Sequence, residues 1–194
     1  MKKLFAGKLA IVAVAVLAEC LVAFADGEWS SRAPLQDTFV NYNSRDTAFG
    51  GQGGIIVGNG REGCMMFDVS GLANVEAARL KLYITQCGTK EGVVWPIYVR
   101  VMRNDRWDEN TLTWNLLPDE FRVAPSPILA TNDVTVAGYV EIPAGSVNSL
   151  CTIDITEAVK AAASRGFHQQ GQFQSLLCNY QDKYKKALRS DKTH

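Results

Sequence analysis

Between residues 78 and 85 the chain reads ARLKLYIT, so that Leu80, Leu82 and Ile84 alternate with Lys81, Tyr83 and Thr85. A period of two places the first set on one face of a β-strand and the second on the other. The same parity runs through WPIYVRVM, where Ile97, Val99 and Val101 are expected to face inward and Tyr98, Arg100 and Met102 outward. Further short segments rich in β-branched and aromatic residues predict strands around Val57 and over residues 64–69, 93–102, 135–142 and 151–155. Gly, Asn, Asp and Pro divide them. One helix interrupts the pattern: Thr156 is expected as its N-cap, Glu157 favours the first turn, AVKAAASR has high helical propensity, and Gly166 closes the end. Short strands at this spacing, with a single helix, predict a β-sandwich rather than alternating β/α units.

The N-terminus follows another pattern. Lys2, Lys3 and Lys8 precede an apolar run from Leu9 to Leu17, and Ala23-Phe24-Ala25 leads into the polar Asp26. That order predicts a secretory signal peptide over residues 1–25. Glu19 and the shortness of the apolar core argue against a retained membrane anchor, and Glu19 before Cys20 argues against a lipoprotein site. Residues 26–194 then form one domain. Setting aside Lys2, Lys3, Lys8 and Glu19 leaves 17 basic and 19 acidic residues. A balance near −2 argues against bulk binding of nucleic acid. Cys64, Cys87, Cys151 and Cys178 remain, and in an exported protein they permit two disulfides in any of three pairings, although Cys64 lies in an apolar run that also suits a buried thiol.

Candidate chemistry is sparse. His168 and His194 are the only imidazoles, and no recognisable nucleophile motif occurs. Asp105, Asp108, Glu109, Asp119 and Glu120 offer carboxylates, but Asp and Asn in such a stretch more often build turns. The segment DTFVNYNSRDTAFGGQGG, read as a glycine-rich loop, supplies oxygen donors from Asp37, Asn41 and Asp46 that suit a structural calcium ion. If the two alternating strands share a sheet, Lys81, Tyr83, Tyr98 and Arg100 form one outward face. Its rings can stack on sugars and its cations can pair with carboxylates.

Five segments together resemble a known module in order and spacing: DTFVNYNSRDTAFGG, IIVGNGREGCMMFDVSGL, AARLKLYIT, RNDRWDENTLTWNLLP and IDITEAVKAAASRGFHQQG. The module is the DNRLRE domain, also classed as carbohydrate-binding module family 96. The resemblance spans about Asp37 to Ser190 and is most specific in Asp37-Thr38 with Gly50, in Phe67 to Ser70, and in Trp107 to Trp114. It implies an all-β, jelly-roll-like antiparallel β-sandwich with one short inserted helix. It further implies a secreted, non-catalytic domain that binds polysaccharide, with alginate the ligand best associated with the class, acting in trans beside secreted polysaccharide-degrading enzymes. For a uronate polymer, Lys81 and Arg100 are the expected carboxylate partners, with Arg61 and Arg103 beside them, assignments that rest on strand alternation rather than on a family motif. A structural or adhesive sandwich without glycan binding is the alternative. Trp107-x-Glu109 to Trp114 is expected to be a structural corner, because seven residues put the two rings on opposite faces of any continuous strand. Met66 stands where relatives carry a basic residue, the tryptophan frequent near Ala162 is missing, and the final family strand is expected to be lacking after ALRSDKTH.

Overall fold

The computed structural model describes residues 12–58, 60–88, 91–102, 107–117, 136–164 and 172–179. In chain order the elements are β1 (Val12–Phe24), β2 (Trp29–Arg32), β3 (Gln36–Asn41), β4 (Gly54–Val57), β5 (Arg61–Asp68), β6 (Val75–Gln86), β7 (Val94–Met102), β8 (Val136–Pro143), β9 (Ser149–Asp154), α1 (Thr156–Ser164) and β10 (Gln172–Asn179). They form two antiparallel sheets. The first has the order β2-β1-β6-β9, with β4 also paired to β1; the second has the order β3-β5-β10-β7-β8. The all-β sandwich expected from strand spacing is the fold observed.

Alternation explains the packing. Leu80, Leu82 and Ile84 of β6 are fully buried and meet Met65 and Phe67 of β5 and Ile97 and Val99 of β7 in one core between the sheets. Lys81 and Tyr83 are half-buried on the opposite face of β6, and Thr85 is exposed. Burying such aliphatic side chains contributes about 1.5 to 3 kcal/mol each, which is why the parity of β6 is strongly specified.

The residues read as a leader core occupy a central position in this sheet. β1 pairs with β6 along one edge, and with β2 and β4 along the other. Ala18, Cys20 and Val22 are buried in the core, while Glu19 and Leu21 are half-buried between them. β3, assigned from sequence to a loop, is a strand paired with β5 from Gln36↔Met66 to Asn41↔Arg61. Phe39 turns into the main core and stacks on Phe49 with centroids 4.5 Å apart.

The helix begins differently from expectation. Thr156 belongs to its first turn, and the Asp154 carboxylate accepts from Thr156 N at 2.9 Å. The Thr156 hydroxyl is engaged elsewhere, accepting from Ala78 N at 2.9 Å, and so ties the helix to β6. Gly166, the expected terminator, lies outside the described residues. Cys64, Cys87 and Cys151 are free thiols, so none of the expected pairings among these three forms. Cys64 sits in a second, smaller core on the outer face of the second sheet, and burial pushes its thiol well above the ordinary range.

That second core answers for residues 107–117. Leu112, Trp114 and Leu117 pack with Val40, Cys64 and Met102, and Trp107 and Tyr42 lie against them. The Tyr42 and Trp114 rings meet edge to face at 5.5 Å. Polar ties hold the segment down: Glu109 Oε2 accepts from Asp37 N at 3.1 Å, Glu109 N donates to Gln36 Oε1 at 2.9 Å, and Asn115 Nδ2 donates to Asp46 Oδ1 at 2.7 Å. Asp108 accepts from Asn110 N at 2.9 Å and makes the turn itself. The segment is a structural corner, and Glu109 is its anchor.

Gly50 sits where the loop after β3 crosses this corner, and a Cβ there would run into the backbone carbonyl of Glu109. Because that obstacle is backbone, it cannot swing aside. Gly50→Ala is therefore expected to destabilise the domain by about 1 to 3 kcal/mol, read as a fall of several degrees in the thermal unfolding midpoint. An unchanged midpoint would show that the corner is not packed as described.

Candidate functional site

The four residues expected on one face belong to two. Lys81 and Tyr83 lie on β6 in the first sheet, whereas Tyr98 and Arg100 lie on β7 in the second. Each pair faces outward from its own sheet, so the pairs point away from each other across the sandwich. The alternation was correct within each strand. The joint basic and aromatic face is not formed.

On the first sheet, parity extends the row backward from Lys81 to Arg79, which is exposed. Trp29 of β2 stands beside it, 47% exposed, with the Arg79 guanidinium carbon 5.0 Å from the ring centroid. Such a contact holds both groups in place while leaving ring surface open. At the other end of the row, Tyr83 Oη donates to Asn148 Oδ1 at 3.3 Å, and Asn148 sits in a turn with φ 53. From Arg79 to Tyr83 the row spans roughly 14 Å at strand rise. Cross-strand neighbours temper its charge: Asp154 lies opposite Arg79, and Glu19 and Thr152 flank Lys81. Hydrogen bonds from Thr156 hold the Asp154 carboxyl below the ordinary carboxylate range, with Arg79 and Lys160 adding to the effect. The face therefore carries two aromatic rings, two cations and fixed carboxylates, a set that can stack on a sugar ring and bond its hydroxyl and carboxyl groups.

The second sheet presents a narrower feature. Tyr98 stacks on Tyr139 of β8, with centroids 5.8 Å apart and planes inclined by 28°, and Tyr139 is 63% exposed. One step along β7, Arg100 is only 5% exposed, and Met102, two residues further on, is buried in the second core. Arg100 is thus unsuited to meeting a polymer. Its charge acts instead on Glu62 of β5. Glu62 Oε2 is sealed from solvent with no hydrogen-bond partner among the described residues. Burial raises its pKa from 4.5 to about 8, and the attraction of Arg100 offsets part of that rise.

The remaining expected residues are scattered. Arg61 begins β5 opposite Asn41, half-buried, with Nη1 sealed from solvent. Arg103 and His168 lie outside the described residues. Of the expected cation ligands, Asn41 Oδ1 accepts from Asn43 N at 3.0 Å, and Asp46 Oδ1 is taken by Asn115. Asp37 has Glu109 as its charged neighbour, and burial followed by that like charge raises its pKa. Among the described residues no group of three or more His, Cys, Asp and Glu side chains is gathered at metal-binding distance.

Sequence reading missed Arg79, Trp29 and Tyr139. Arg79 was legible, since it has the parity of Lys81. Trp29 and Tyr139 depend on which strands become neighbours, which no local pattern states.

The family model of carbohydrate-binding module family 96 matches residues 28–187. A gellan lyase from Bacillus sp is 31% identical over 118 residues, which is 57% of this chain and 5% of that protein. The match therefore concerns a small part of that relative.

The sealed Glu62 carboxyl has a consequence for stability. With its folded pKa raised, the folded chain holds a proton that the unfolded chain releases above pH 4.5. Its favourable contribution is fully present below that pH and is lost as pH rises toward 8. Glu62→Gln is expected to flatten this decline and to raise stability at pH 8 by roughly 2 to 4 kcal/mol relative to the parent. Denaturant unfolding of both proteins across the window checks it; parallel pH profiles would mean that Glu62 reaches water.

Proposed function

We propose that this chain, which belongs to carbohydrate-binding module family 96, is an extracellular, non-catalytic module that binds an anionic polysaccharide such as alginate on the outer face of its first sheet. The observation that carries this reading is the outward row formed by Trp29, Arg79, Lys81 and Tyr83. Trp29 and Tyr83 supply flat apolar surface for the C–H faces of sugar rings, and Arg79 and Lys81 supply partners for carboxylates. Arg79 contributes twice, since its contact with Trp29 orients the fork before ligand arrives. Glu19 and Asp154 limit the positive potential of the face and leave it selective for ligands that offer hydroxyl donors as well as charge.

The non-catalytic part of the reading has its own support. Asp108 and Glu109, the most suggestive carboxylates, are committed to turn and anchor hydrogen bonds in a packed corner. With a matched lyase so much longer than this chain, gellan joins alginate as a polymer to be tested. A structural calcium ion would enter through the Asp37 to Asp46 segment.

The test is calorimetry or affinity electrophoresis against alginate, gellan, pectin and a neutral glucan, with calcium and with chelator. Binding to an acidic polymer is expected, weakening as salt rises. Trp29→Ala and Arg79→Ala are each expected to weaken it about tenfold, corresponding to roughly 1.4 kcal/mol, while Tyr139→Ala on the other sheet leaves it unchanged. Loss with chelator would support calcium. Failure of a folded protein to bind any of the four polymers would favour a structural or adhesive sandwich, a reading to which the burial of Arg100 already lends weight.

A further inference from the structure

We infer that the seam now filled by residues 18–24 is a strand-acceptor site, able to take an extended apolar segment of a second polypeptide when the chain's own segment is cut away. Two independent readings meet on these residues. Their sequence is that of a leader ending at Ala25, and their place in the fold is a central strand. Pairing runs on both sides of the segment: Cys20, Leu21, Val22 and Ala23 face Arg32, Ser31, Ser30 and Trp29, while Glu19 to Phe24 face Lys81 to Val75. Removing it leaves a whole edge of β6 without partners and opens the core at the places of Ala18, Cys20 and Val22, all 5% exposed or less. An unpaired edge beside an apolar slot is the geometry that strand addition exploits.

The joint is placed for cutting. Ala25, Asp26, Gly27 and Glu28 form the exposed tip between β1 and β2, closed by Gly27 N donating to Phe24 O at 2.9 Å and Phe24 N to Glu28 O at 3.0 Å. Gly27 has φ 83, which favours glycine at this tip. Cleavage after Ala25 would therefore sever β1 at a turn and leave β2 and β6 intact as the walls of the seam.

The seam also states the chemistry of its occupant. Alternate side chains must be small and apolar, sized as Ala, Cys and Val, because those positions are enclosed. The residue opposite Lys81 is best acidic, as Glu19 is. A strand slipped by one residue would bury that acid, so register is specified together with affinity.

The experiment uses the full chain and a capped, labelled peptide of residues 18–25 carrying two added N-terminal lysines. In C20D/V22D the chain's own strand no longer suits the seam, and this variant is expected to capture the peptide at least tenfold more tightly than the parent, whose seam is occupied. Leu21→Asp, altering a half-buried outward position of the same strand, should behave as the parent does. A peptide bearing both aspartates should not be captured. If C20D/V22D is unfolded alone, capture is read as peptide-dependent recovery of β-sheet circular dichroism. Equal capture by parent and C20D/V22D, capture by neither, or an unfolded variant that the peptide does not restore overturns the inference.

Discussion

β6 is hydrogen-bonded along both edges, by β1 on one side and β9 on the other, and its inward row of Leu80, Leu82 and Ile84 lies at the centre of the main core. Other features are referred to that strand. The helix is moored to it through the Thr156 hydroxyl at Ala78, and the outward row of Arg79, Lys81 and Tyr83 follows from burial of the residues between them. A one-residue shift against β1 would drive Glu19 and Leu21 into the space of Cys20 and Val22. The cost of sealing a carboxylate there excludes it. The proposed binding face is in this sense a by-product of core packing, with its geometry fixed by side chains that point into the core.

Runs of β-branched and aromatic residues made β5 to β9 legible, and period-two alternation made the inward positions of β6 and β7 legible, because apolar burial acts locally along a strand. It could not say which strands share a sheet. Lys81 and Tyr83 were therefore joined with Tyr98 and Arg100, although a sandwich has two outward faces and these residues divide between them. β1 escaped for a different reason: a leader core and a central strand are both short continuous apolar runs, and periodicity cannot separate them. β3 escaped because Asp37, Thr38 and Asn41 resemble loop residues, yet Thr38 and Asn41 are buried in a strand paired with β5. The burial of Arg100 likewise has no local signature, since its place in β7 alternates with core residues and reads as outward.

The corner at residues 107–117 shows why a dense acidic and aromatic motif need not be a site. Trp114 and Leu112 give it an apolar underside, and Asp108, Glu109 and Asn115 spend their polar atoms on backbone and side-chain anchors. The same sheet carries its own electrostatic problem. Arg100 is buried and Glu62 Oε2 is sealed from solvent, and Glu62 responds by favouring its proton rather than a full ion pair, since desolvation outweighs the attraction of Arg100. Neutralisation there costs less than maintaining a buried anion, so the second sheet keeps a protonated acid where the first sheet keeps solvated charge.

The strand seam and the face proposed for polysaccharide share one residue pair. Glu19 belongs to the strand in the seam, and Lys81, directly across from it, belongs to the face. A cross-strand pair on a solvent-facing sheet surface contributes roughly 0 to 1 kcal/mol, too little to hold β1 in place beside the burial of Ala18, Cys20 and Val22. It is nevertheless comparable to the energy with which one lysine distinguishes a charged sugar from a neutral one. An occupant with a neutral residue at that position would leave Lys81 unopposed and make the face more attractive to polyanions; an acidic occupant would do the reverse. Apolar side chains decide whether the seam is filled, and the polar residue between them sets the charge that the filled domain shows on this face.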